Sequence, residues 1–206
     1  MNSRILLSFF IFAFANNLVL AQETEEIISV ASYLESNELN ASPVDVISAE
    51  EFKNLRVSTV AELSKYLSIA SGSNFQTNAL DGVDQGMANI TLRGMDHAST
   101  LVLINKKRQT HSGTPSDEGE GYIDINIIPE IALYRIEILK DGASSLYGSD
   151  AVAGVINFQT YQQFDGIRLA LGSQKTSNYD QRDNSLGALF GGDVFGGSYV
   201  FAFSSL

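Results

Sequence analysis

Apolar residues change their rhythm along this chain, and each change marks a different kind of segment. Residues 5–15 are almost wholly apolar. Residues 22–42 are acidic and polar, with only Ile27, Ile28, Val30, Tyr33, Leu34 and Leu39 as sizeable apolar side chains. From residue 43 to residue 160, short apolar runs are broken by Gly, Asn and Asp. Beyond Phe164 the period becomes two: Ile167, Leu169 and Leu171 alternate with Arg168 and Ala170, and Tyr199, Phe201 and Phe203 alternate with Val200, Ala202 and Ser204.

The first segment reads as a secretory signal peptide over residues 1–21. Arg4 supplies the positive start, and Val19-Leu20-Ala21 supplies the residues before cleavage after Ala21. Asn16-Asn17 ends the apolar run short of the roughly 20 residues a membrane-crossing helix needs. The second segment, residues 22–42, buries too little surface to order itself and is expected to be a flexible arm. Within it, EIISVAS (residues 26–32) is β-branched and extended, suited to pairing with the edge of a partner's sheet.

The third segment predicts alternating short strands and helices. A strand is expected over 44–47, followed by a helix to about Arg56 that opens on a Ser48/Glu51 capping box. Thr59 and Glu62 repeat that device, and Val60, Leu63 and Leu67 then share one helical face. Residues 71–88 are rich in loop formers. Strands are expected over 90–94 and 100–104, the second turning back at Asn105-Lys106, with Lys106, Lys107 and Arg108 as a solvated hairpin tip. After a loop over 110–121, Pro129 and Glu130 open a helical turn, and strands follow over 134–139 and 154–160. In the last segment, Gly191-Gly192-Asp193 and Gly196-Gly197 are expected to be turns between about three strands, which suit a transmembrane barrel as well as a half-buried soluble sheet.

Charge and chemistry narrow the function by exclusion. Thirteen basic against 24 acidic residues give a net charge of −11, which disfavours nucleic acid and anionic head groups as bulk electrostatic partners. The absence of cysteine excludes disulfides, zinc thiolates and thiol nucleophiles. The stretch LKDGASSLYGSDAVAGVINF, residues 139–158, lacks both the Gly-Lys-Ser/Thr of a phosphate loop and the spacing of a dinucleotide fingerprint. Asp117, Glu118 and Glu120 have no flanking apolar wall to raise a carboxyl pKa for acid catalysis. His97 and His111 are the only histidines. No enzyme activity, cofactor or metal is expected. Small side chains in residues 139–158 point instead to packing, with a turn at Asp141-Gly142 and a short helix lying flat on a neighbouring surface.

Three stretches in order, ITLRG (90–94), TLVLINKKR (100–108) and DINIIPEIALYRIEILKDGASSLYGSDAVAGVINFQT (124–160), resemble the plug domain of TonB-dependent outer-membrane receptors. The resemblance covers residues 44–160 and implies an α+β fold: a small plug with a mixed four-stranded sheet and short helices, held in a barrel of about 22 strands. Residues 43–160 would be the plug and 161–206 the first strands of a transmembrane β-barrel, too few to close it. The chain is therefore expected to be the N-terminal part of a receptor, unable to transport alone.

The resemblance also implies roles and partners. Ile27, Ile28, Ser29, Val30 and Ala31 match a TonB box, which would join the TonB protein of the inner-membrane energy-transducing complex. Arg93 and Arg135 match plug positions that pair with barrel carboxylates. Thr110, His111, Ser112, Thr114, Asp117 and Glu118 lie in the loop that matches the substrate-facing apex. The implied function is energy-coupled uptake of a siderophore, cobalamin, saccharide or peptide in the outer membrane, with lipid outside the barrel and the arm in the periplasm. The alternative is a barrel-less secreted or periplasmic ligand-binding module that uses the plug fold. Two departures stand out: Ala70-Ser71-Gly72 where the family has Pro-Gly, and Asn105-Lys106 where Asn-Gly is commoner.

Overall fold

The computed structural model describes residues 44–55, 57, 59–73, 88–113, 119, 121–175 and 182–205. The expected signal peptide, the arm with its candidate TonB box, and Thr114, Asp117 and Glu118 lie outside the described residues. Among the described residues no helix is long and apolar enough to cross a membrane, which leaves strands unaddressed.

Two sheets organise the chain. The first is formed by β1 (Val44–Ser48), β2 (Thr100–Ile104), β3 (Lys107–Arg108), β4 (Leu133–Leu139) and β5 (Gly154–Thr160), in the order β1-β4-β5-β2-β3. Its β2/β5 pair is parallel and the other pairs are antiparallel. The expected mixed α+β architecture is present with five strands instead of four, the fifth being the two-residue β3. It forms because Asn105 and Lys106 both adopt left-handed φ, 51° and 66°, the turn that matches strand twist. Lysine tolerates that conformation here because its N–H donates to Asn157 Oδ1 at 2.9 Å. Asn105 is fixed as well, donating to Thr160 Oγ1 and accepting from Thr160 N–H, each at 2.9 Å.

The helical pieces follow their caps. Helix α1 (Ala49–Asn54) opens on the expected capping box, Ser48 and Glu51 bonding reciprocally, and buries Phe52. Val60–Tyr66 is a 3-10 helix, not an α-helix. Thr59 caps it, but Glu62 turns to Lys65 at 2.9 Å instead of closing a second box. Val60 and Leu63 eclipse at the three-residue period and both are buried. Residues 90–94 form no strand. Their backbone bonds go to a loop instead: Thr91 N–H to Ser73 Oγ, Leu92 N–H to Thr100 Oγ1 and Arg93 N–H to Ile69 O. Arg93 and Gly94 then turn in left-handed conformations. Alternation was a misleading guide there because both faces of 90–92 are buried.

The main core lies on one face of the first sheet, with Leu63, Leu92, Ile125, Ile136, Ile138, Ile156 and Phe158 at its centre. On the other face Leu101, Leu103, Leu139 and Val155 are covered by Ala143 and Ala151. Those alanines flank helix α2 (Ser144–Tyr147), so the small side chains of residues 139–158 find their neighbouring surface within the domain itself. Gly154 is required at the crossing: its φ is 144°, and a Cβ would sit 2.5 Å from Leu139 O and 2.7 Å from a Leu92 methyl.

The second sheet is the antiparallel meander β6 (Gly166–Lys175), β7 (Arg182–Val194) and β8 (Gly197–Ser205). Gly196-Gly197 falls at a turn as expected, with Phe195 and Gly196 left-handed. Gly191-Gly192-Asp193 does not: it lies inside β7, where glycine admits close backbone instead of turning the chain. A Cβ on Gly191 would meet Phe164 O at 2.5 Å and Tyr199 O at 2.7 Å.

Candidate functional site

Strand β4 carries the least expected feature. Its YRIEIL alternation suggests charges facing water, yet Glu137 is 0% exposed and Arg135 only 8%. Arg135 Nη2 lies 2.9 Å from Glu137 Oε1. Asn157 donates to Glu137 Oε2 at 3.1 Å, and Gln159 donates to Oε1 at 2.8 Å. A carboxylate taken out of water is stable only when paired and hydrogen-bonded, and these three neighbours meet that need. Because Asn157 also accepts from Lys106 N–H, the buried charge is wired to the β2–β3 turn.

A second charged group gathers at the opposite end of β4. Arg93 donates to Lys140 O and approaches Asp141 Oδ1 at 3.4 Å, while Lys140 pairs with Asp45. Both arginines singled out from the sequence therefore have acceptors inside the first domain. Arg108, expected at a solvated tip, instead reaches Asp150 and Tyr147 O and ties β3 to the α2 segment. The charge run gave no hint of that partner, which lies 42 residues away in sequence.

The expected apex loop is described in part. His111 packs over Gly121, where a Cβ would stand 2.5 Å from its Nδ1, and Ser112 N–H donates to Tyr122 O at 2.8 Å. His97 meets the Tyr122 ring edge-on at 6.4 Å between centroids. The two histidines share a cavity of about 30 Å³, room for one water. Thr110 is exposed at the start of the loop, beside β3. Among the described residues no three histidine or carboxylate side chains come together as a metal site requires.

The second sheet has two unlike faces. Ile167, Leu169, Leu171, Leu186, Phe190, Tyr199, Phe201 and Phe203 line one face and are all exposed. The opposite face carries Gly187, Leu189, Ala202 and Ser204 and rests on the first domain, where Leu189 is 0% exposed. The short 3-10 turn Glu130–Ala132 lies against β7 and β8. Between α1 and β6 the two sheets part, leaving a groove of about 630 Å³ whose walls include Lys53, Arg135, Tyr161 and Arg168.

Comparison with known proteins bears on this fold. The family model described as TonB-dependent Receptor Plug Domain matches residues 37–155. This chain belongs to the TonB-dependent receptor plug family. Among curated relatives, the iron-regulated outer membrane virulence protein of Vibrio cholerae serotype O1 is 32% identical over 158 residues, 75% of this chain and 23% of that protein. The vitamin B12 transporter BtuB of Vibrio vulnificus is 29% identical over 155 residues, 69% of this chain and 24% of that protein. Among solved structures, the siderophore receptor PirA from Acinetobacter baumannii matches with a TM-score of 0.57 at 26% identity, covering 78% of this chain and 24% of that one. A mutant of the ferric enterobactin receptor PfeA from Pseudomonas aeruginosa shares the fold at 22% identity, with a TM-score of 0.63 over 86% of this chain and 26% of that one. The match thus spans about a quarter of the length of these proteins. The first sheet with its helices is the plug.

Proposed function

We propose that this chain supplies the plug and the first wall strands of an outer-membrane receptor that takes up a siderophore or a cobalamin at the expense of the inner-membrane proton gradient. The observation that carries this reading is the pairing of a plug fold with a sheet that turns its small residues to the plug and its apolar residues outward. That polarity is inverted relative to a soluble sheet and fits strands with lipid on one side. Residues 1–21 direct export, and the arm over 22–42 presents Ile27, Ile28, Ser29, Val30 and Ala31 to TonB as an added strand. Substrate chemistry follows the relatives, among which PirA is a siderophore receptor and BtuB a vitamin B12 transporter.

Deleting the gene and measuring uptake of ferric enterobactin and cyanocobalamin tests the proposal. Uptake of one of them should fall to background and return on complementation, and a protonophore should abolish the complemented uptake. Unchanged uptake of both, or uptake indifferent to the protonophore, would contradict it.

A further inference from the structure

Plug and wall meet unevenly. On one side α1 and β6 stand apart across the groove. On the other, the Glu130–Ala132 turn lies directly against β7. A Cβ built on Gly187 would lie 3.4 Å from Ile131 Cβ, 3.3 Å from its Cδ1 and 3.2 Å from Glu130 Oε1, so glycine forms a notch that the Glu130 and Ile131 side chains fill. Leu189, two residues along the same face, loses all solvent contact, and Ile131 and Leu133 are buried with it. The segment that joins plug to wall is fastened at the same place. Tyr161 N–H donates to Ala132 O at 3.0 Å, and its ring packs edge-on between Tyr134 at 5.5 Å and Phe164 at 5.6 Å. Arg168 on β6 closes the stack, its guanidinium 5.1 Å from both the Tyr161 and the Phe164 ring. Ser198 on β8 adds a bond to Gln162 O.

We propose that this seam, with Ile131 in the Gly187 notch and Leu189 beneath it, is the seat that holds the plug against the receptor wall. Arg93 and Arg135 act differently: both meet acceptors of the plug itself and stabilise its own fold. A glycine on a strand face lets neighbouring side chains settle against the strand, and a fully desolvated leucine beside it makes the contact costly to open. Ile131, Gly187 and Leu189 are positioning residues, since none needs to touch substrate.

The inference rests on the outer-membrane receptor reading, which membrane fractionation of the unaltered receptor tests separately. The chain has no cysteine, so an Ile131→Cys/Gly187→Cys pair introduces the only thiols within it. The 3.4 Å between Cβ positions is close to the separation of about 3.5–4.5 Å typical of disulfides. The double variant should oxidise spontaneously in the outer membrane and shift in non-reducing electrophoresis. An Ile127→Cys/Gly187→Cys control, with residue 127 exposed, should not. Gly187→Leu should wedge the seam open and lower the inhibitory concentration of vancomycin several-fold at normal receptor abundance, while Arg93→Ala leaves it unchanged. Should the wedge variant fail to assemble, the cysteine pair decides alone. Free thiols at residues 131 and 187 would overturn the proposal. So would a vancomycin barrier that survives Gly187→Leu but collapses with Arg93→Ala.

Discussion

The two sheets of this chain solve opposite problems with similar residues. In the plug, charged side chains of β4 are buried and apolar ones fill two cores. In the wall sheet, Leu169, Leu171 and Phe201 are exposed on the outer face, with Leu169 at 70%, while Gly187, Leu189 and Ser204 face inward. A period of two appears in both. It signals a core face only when the outer surroundings are known, and the difference teaches that the plug is a folded unit while the wall sheet takes its sense from what lies outside it.

The plug side of that comparison breaks most readily at its buried charge. Glu137→Ala strands Arg135 with less compensation inside the sheet and should cost about 3–5 kcal/mol in urea unfolding of the whole chain. An Arg135→Met/Glu137→Leu double variant should recover most of the loss. If the single change costs under about 1 kcal/mol, the pair is solvated and the plug is not closed in the way described.

A smaller effect separates two glycines of one segment. Gly154→Ala meets Leu139 O and Leu92 at clash distance and should lose about 3 kcal/mol from strain and overpacking together. Gly148→Ala, at φ 92° but with no heavy atom closer than 3.6 Å to the added Cβ, should lose about 1–2 kcal/mol from backbone strain alone. Equal losses would mean that close packing is not what selects glycine at residue 154.

The smallest effect belongs to the wall. Leu169→Ser removes an exposed leucine and should change the stability of the plug by less than about 0.5 kcal/mol, while lowering insertion of the receptor into membranes. A large loss of plug stability would show that this face packs on protein.

Legibility in the sequence followed the range of the forces involved. Local devices were readable: the Ser48/Glu51 box, the Asn105-Lys106 turn, the Pro129 turn and four of the five plug strands all depend on residues within a few positions. Residues 90–94 misled because their backbone partners, Ser73, Thr100 and Ile69, come from other segments and replace a ladder. Gly191-Gly192 misled because a glycine that turns the chain and one that admits another backbone look alike in one dimension. Resemblance pointed to Arg93 and Arg135 but not to Asp141 and Glu137, the carboxylates that meet them within the plug. The burial of Glu137 had one available clue, the apolar Leu139 two residues along on the same face, which is also buried. The Ile131–Gly187 seat had none, since it joins residues 56 positions apart through shape alone.

Opposite faces of the wall sheet provide the most direct test. The sequence has no tryptophan, so Leu169→Trp and Leu189→Trp each place a single fluorophore in the chain, one on the outward face and one on the plug side. With the receptor reconstituted in vesicles of brominated phosphatidylcholine, the residue-169 fluorophore should be strongly quenched and the residue-189 fluorophore should keep its full emission. Equal quenching at both positions, or none at residue 169, would contradict the assignment of lipid to one face and plug to the other.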